Sequence, residues 1–262
     1  MNRSKRFVPV CIAALVLLAG CEDASVEGGM EAQISAVSQA AEERCGAGVT
    51  PATEGQSFCS ATGERIDLIN GMIAPFPVRA IRCPTAAALL GNVLLAVLPA
   101  AAAHGGHLDA PVGVVDVAEP AGSEWSLRRM PLTAGRYCGV ELILEQIPPR
   151  TFTAGIPEPH DDVLVYARPC HYPNPPPAPP EHDHQCYAVT VRGAARSVEL
   201  DFPEPVAVHA GERALRVELG VDFGTWFDGI DFEHLETDAV QQQALLDNIV
   251  QSLSIGRAEA RP

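Results

Sequence analysis

The chain has 262 residues, with 33 acidic against 18 basic side chains, a formal charge of −15 and 47% hydrophobic residues. An acid excess of this size repels phosphate backbones and anionic headgroups, which excludes nucleic-acid binding from the expected functions. Lys5 is the sole lysine, and without its first twenty residues the chain carries a charge of about −18.

The first six residues carry Arg3, Lys5 and Arg6, and Phe7 to Ala19 is an uncharged, largely apolar run. That is the architecture of an export signal. Spanning a bilayer takes roughly 20 apolar residues, so this run targets rather than spans. It ends in Leu18-Ala19-Gly20-Cys21, which resembles the bacterial lipobox, where cleavage precedes a diacylated cysteine. The resemblance implies lipid on Cys21; the alternative is an ordinary signal peptide cut nearby, with Cys21 left as a thiol. Several acyl chains anchor durably, whereas one holds only marginally. The expected organisation is a signal peptide at 1–20, a lipidated cysteine with an acidic tether or short helix at 21–44, a β domain at 45–256 and a disordered tail at 257–262. The tether is small and acidic from Glu22 to Gly29, and Met30, Ile34, Val37 and Ala41 then recur at helical spacing.

Eight cysteines, less Cys11 in the signal segment and Cys21, leave Cys45, Cys59, Cys83, Cys138, Cys170 and Cys186. An even number in an exported chain predicts disulfides, and six thiols allow fifteen connectivities. Nearest-neighbour pairing is the expectation: Cys45 with Cys59, Cys83 with Cys138, and Cys170 with Cys186. Metal binding by these thiols is disfavoured, because no Cys-x-x-Cys pair occurs.

From Arg65 onward short apolar runs alternate with Gly and Pro. Strands are expected at Arg65–Ile69, Pro77–Arg82, Val93–Leu98, Val112–Val117, Trp125–Arg129, Tyr137–Gln146, Val163–Ala167, Cys186–Val191 and Ser197–Phe202. Between Ala214 and Asp222 the alternation is strict: Leu215, Val217, Leu219 and Val221 form one row, and Arg216, Glu218 and Gly220 the other. Many short strands and 23 prolines predict a mainly β chain, an antiparallel β-sandwich of immunoglobulin-like type. The exception is a C-terminal helix, capped by Thr237, with Val240, Ala244, Leu245, Ile249 and Leu253 on one face and Gly256 as its stop.

Two histidine groups are candidate metal ligands: His104 with His107, and His182 with His184 in the Pro-rich loop between Cys170 and Cys186, with His171 beside that loop. Imidazole suits copper and zinc, and a disulfide-pinned loop can hold ligands still. The same spacings also suit ordinary polar loops. The acid- and aromatic-rich run Asp222–His234 admits an oxygen-rich cation loop, but it lacks EF-hand spacing, and aromatics closing the end of a core explain it better. No nucleophile elbow, phosphate loop, dinucleotide fingerprint or His-Glu-x-x-His is present, so no catalysis is expected.

The stretch Leu132-Thr133-Ala134-Gly135-Arg136-Tyr137-Cys138-Gly139-Val140 resembles the lead-in to an apolar strand in uncharacterised bacterial sandwich-domain lipoproteins. With the lipobox and the even cysteines, the chain is loosely similar to the methanobactin-associated copper-binding proteins. That resemblance implies copper and a haem-protein partner. The family's copper site uses a modified tryptophan close to histidines, and neither Trp125 nor Trp226 has a histidine two residues away, so no copper-site residue carries over. The expected function is a lipid-anchored exported protein, facing the periplasm or cell surface, that binds copper or zinc through loop histidines and works with a redox or envelope protein. The alternative is a metal-free interaction or structural module of the envelope.

Overall fold

The computed structural model describes residues 30–38, 55–84, 113–116, 119, 122–148, 162–173 and 184–262. In chain order its strands are β1 (Glu31–Ser38), β2 (Gln56–Cys59), β3 (Arg65–Arg82), β4 (Val115–Asp116), β5 (Glu124–Pro131) and β6 (Gly135–Glu145). They continue with β7 (Val163–Tyr172), β8 (Gln185–Cys186), β9 (Val189–Arg192), β10 (Arg196–Val208), β11 (Ala214–Val221) and β12 (Leu253–Arg261); one helix, α1 (Ala239–Ser252), precedes β12.

Two sheets result. The smaller has the order β12-β11-β1-β5, and the larger runs β10-β6-β3-β7-β8, with β2 and β4 also on β3 and β9 on β7. The row Leu215, Val217, Leu219 and Val221 is fully buried, as its alternation predicts, and packs in one core with Ile66, Leu68, Leu142, Leu144 and Val165 of the larger sheet. Each such side chain contributes roughly 1.5–3 kcal/mol on leaving water. This is the expected β-sandwich. Its pairing is antiparallel except between β1 and β11, which run parallel.

Several local expectations are corrected. Residues 31–38, read as tether or short helix, form a strand, because Ala32, Ile34 and Ala36 face the core at a two-residue period between β11 and β5. The expected tail at 257–262 is largely strand: Arg257 to Arg261 pair with β11, and Gly256 lies inside β12 rather than ending a helix. Helix α1 is capped by Asp238, whose side chain accepts from the Val240 N–H, and not by Thr237. Val240 is 71% exposed, so the buried face is Leu245, Leu246 and Ile249. The two strands expected on either side of Ile73 are one strand, β3, whose register shifts just after Pro77, where an N–H is missing from the ladder. Val93–Leu98 lies outside the described residues.

Disulfides join Cys83 to Cys138 and Cys170 to Cys186, with Cα atoms 4.9 and 3.9 Å apart. Cys59 is also disulfide-bonded, and Cys45, its expected partner, lies outside the described residues. Beside Cys138, the Tyr137 hydroxyl donates to the Thr133 carbonyl at 2.7 Å, the tyrosine-corner device of β-sandwiches. Gly139 follows; a Cβ there would stand 2.5 Å from the Leu200 carbonyl, so only glycine lets β10 approach β6 this closely.

Candidate functional site

Register decides which of the candidate metal ligands can meet. Cys170 stands directly across from Cys186 and Asp67, and Tyr172 across from Arg65, so these side chains share one face of the larger sheet. His184, two residues before Cys186, joins that face and stacks on Tyr172 with ring centroids 5.0 Å apart. Arg65 lies over the Tyr172 ring at 5.0 Å and donates twice to the buried Asp67 carboxylate, at 2.8 and 2.9 Å. Burial first, and then the Asp67 carboxylate, pushes the Tyr172 pKa up, with Arg65 opposing.

His171 is on the other face. It pairs with Ile66 and Gln185, and its ring stacks on Phe232 at 4.2 Å with the planes 6° apart. Its Nε2 makes no hydrogen bond and lies 3.5 Å from Glu64 Oε2. The expectation that His171 and His184 share a loop site is therefore corrected: neighbouring positions along a strand point to opposite faces. His104, His107 and His182 lie outside the described residues, as does Cys21.

Among the described residues one His/Cys group has metal-ligand proximity: Cys170, His184 and Cys186, with ligand atoms within 4.8 Å of one another. Its two sulfurs are bonded to each other. The thiolate is the metal ligand, so the donor set at this place is one imidazole. A copper or zinc site built on His184 needs further histidines, and His182 is next in the chain.

The acid- and aromatic-rich run after β11 closes the core. Phe223, Trp226, Phe227, Phe232 and Leu235 are buried there, and the Trp226 indole N–H donates to Ser252 Oγ at 3.0 Å. Two of the acids are engaged within the run, Asp222 accepting from the Gly224 N–H and Asp231 from the Glu233 N–H, and Asp228 accepts from the Ala61 N–H in the turn between β2 and β3. This is the arrangement of a capped core end, and Trp226 is fully enclosed in it.

Sequence reasoning overlooked an arginine group beside β5. A groove of about 860 Å³ between β3 and β5 is lined by Arg79, Arg82 and Arg128, and a smaller cavity of about 170 Å³ over β1, between β5 and β11, by Arg128, Arg129 and Arg216. Adjacent arginines at 128 and 129 in so acidic a chain were the available signal.

Fold and site together define a disulfide-stapled β-sandwich. No protein-family model, no curated protein and no solved structure matches the chain. Among the described residues no helix is long and apolar enough to cross a membrane.

Proposed function

We propose that the chain is an exported lipoprotein, held to a membrane by lipid on Cys21, whose β-sandwich serves as an interaction module of the cell envelope. The observation that carries this reading is the pair of cross-strand disulfides, Cys83–Cys138 and Cys170–Cys186, in a chain that opens with a signal-like run and Leu18-Ala19-Gly20-Cys21. Disulfides persist in oxidising compartments, which is where such a leader delivers a chain. An interaction role is favoured over catalysis because the sequence carries no nucleophile elbow, phosphate loop or His-Glu-x-x-His pattern. The partner is an envelope protein, and the protein faces the periplasm or the cell surface.

Fractionation of cells expressing the full chain tests the anchor. The wild-type protein is expected in the membrane fraction and a Cys21→Ser variant in the soluble envelope fraction; equal partition of the two contradicts the reading.

A second reading, copper or zinc held by loop histidines, is supported by His184 standing beside the Cys170–Cys186 disulfide that closes its loop. Calorimetric titration of the full chain with each metal tests it: stoichiometric binding lost in a His182→Ala/His184→Ala variant supports it, and no binding contradicts it.

A further inference from the structure

Strand β5 is the end strand of the smaller sheet. Among the described strands it pairs with β1 alone; Gly113 comes against it at Leu127, where an added Cβ would stand 3.0 Å from the Leu127 Cα, and Arg128 to Pro131 lie beyond that contact. Across the groove, Arg79 to Arg82 of β3 pair with β6 alone. An unpaired edge offers a row of backbone donors and acceptors to an added strand. Pro131 has no N–H and ends that row.

The larger cavity lies at this edge, and the smaller lies over β1, between β5 and β11. The larger opens toward the inter-sheet side, where the buried Met130 and Tyr137 line it. The smaller opens on the other face, where Ser35 Oγ is buried and has no hydrogen-bond partner among the described residues. An extended peptide laid along β5 sends alternate side chains to the two faces, so one row of them would enter the larger cavity.

Charge selects the peptide. Arg82 donates to Thr133 Oγ1 and to the Ala134 carbonyl, and Arg128 lies over the Phe76 ring at 4.5 Å; neither has a carboxylate partner among the described residues. Arg79, by contrast, is engaged with Glu141, Arg129 with Glu31 at 3.8 Å and Arg216 with Glu124 at 3.2 Å. Arg128 reaches both cavities because the register slips there: Ile34 pairs with Arg128 and Ser35 with Ser126, leaving Leu127 as the extra residue of a bulge. Bulges re-aim side chains next to functional sites.

We infer that the β5 edge binds an extended acidic segment of a partner protein by strand addition, with Arg82 and Arg128 recognising its carboxylates. This rests on reading the chain as an interaction module and names the surface and the partner's chemistry.

The test uses the purified full chain and a labelled peptide alternating glutamate with valine, against a counterpart with lysine for glutamate, followed by fluorescence anisotropy. The acidic peptide is expected to bind, more weakly as salt rises, and the lysine peptide not at all. Arg128→Glu is expected to weaken binding at least about tenfold, a loss of about 1.4 kcal/mol. Arg82→Gln, a milder change at an exposed side chain, is expected to weaken it several-fold with an unchanged melting temperature. Equal binding of both peptides, or wild-type affinity in both variants, overturns the inference. So does concentration-dependent self-association that excludes the peptide, which would place a second copy on this edge. The Cys21 fractionation is read independently, so failure here leaves the anchor standing, and failure there leaves peptide binding measurable.

Discussion

The His171 ring lies flat against Phe232, with centroids 4.2 Å apart and planes 6° from parallel, on the core side of the larger sheet. A histidine that stacks this closely on a buried aromatic, with an Nε2 that makes no hydrogen bond, is a packing residue. His171→Phe is expected to keep or raise the melting temperature, since it removes a buried polar atom and keeps the ring. His171→Ala is expected to destabilise by about 1–3 kcal/mol in denaturant unfolding, from lost packing. A lower stability for His171→Phe than for His171→Ala contradicts the packing role.

The two described disulfides close loops of different length, 55 residues for Cys83–Cys138 and 16 for Cys170–Cys186. In the chain-entropy model the losses on removal are about 4 and about 3 kcal/mol. Double Cys→Ala variants at each pair are expected to unfold at lower denaturant concentration, in that order of severity. Unchanged midpoints in both would show that neither cross-link stabilises the sandwich.

The hydrogen bond with Asp231, and then its charge, hold the exposed His234 imidazole above its ordinary pKa, and the same pair holds the Asp231 carboxyl below its own. The sign follows from linkage. The histidine's contribution to stability is fully present below the unfolded pKa of about 6.5 and is lost as pH rises through the folded value. The carboxylate's contribution is present above its unfolded pKa of about 3.9 and is lost as pH falls through the lowered folded value. A proton NMR titration is expected to place the His234 midpoint above that of a free histidine, and Asp231→Asn to bring it back down. A midpoint unmoved by Asp231→Asn contradicts the pairing.

Much of the sandwich was legible where one row of a strand is apolar and the other polar, as in Leu215, Val217, Leu219 and Val221. It was illegible where two periods overlap. Met30, Ile34 and Val37 suit a helix, yet Ala32, Ile34 and Ala36 are the residues that meet the core; small alanines carry little periodic signal, and the neighbouring β11 decides. Strand β12 is not legible in the sequence because Gly256 and three charged residues dilute the signal of Leu253 and Ile255, and its partner strand supplies the order. The disulfides between Cys83 and Cys138 and between Cys170 and Cys186 followed from proximity in sequence. The separation of His171 from His184 did not, because it depends on which face each strand position presents. The β5 arginines were hidden for a related reason: Arg82 and Arg128 are 46 positions apart along the chain and meet across a groove that only the packing of two sheets creates.

The proposed molecule is a disulfide-stapled sandwich hung from a lipidated Cys21. Intact-mass spectrometry of the protein extracted from membranes without reductant tests it most directly. The expected chain begins at Cys21, carries the added mass of a diacylglyceryl group, and lacks two hydrogens for each disulfide. A chain that retains residues 1–20, or begins elsewhere without lipid, would contradict it.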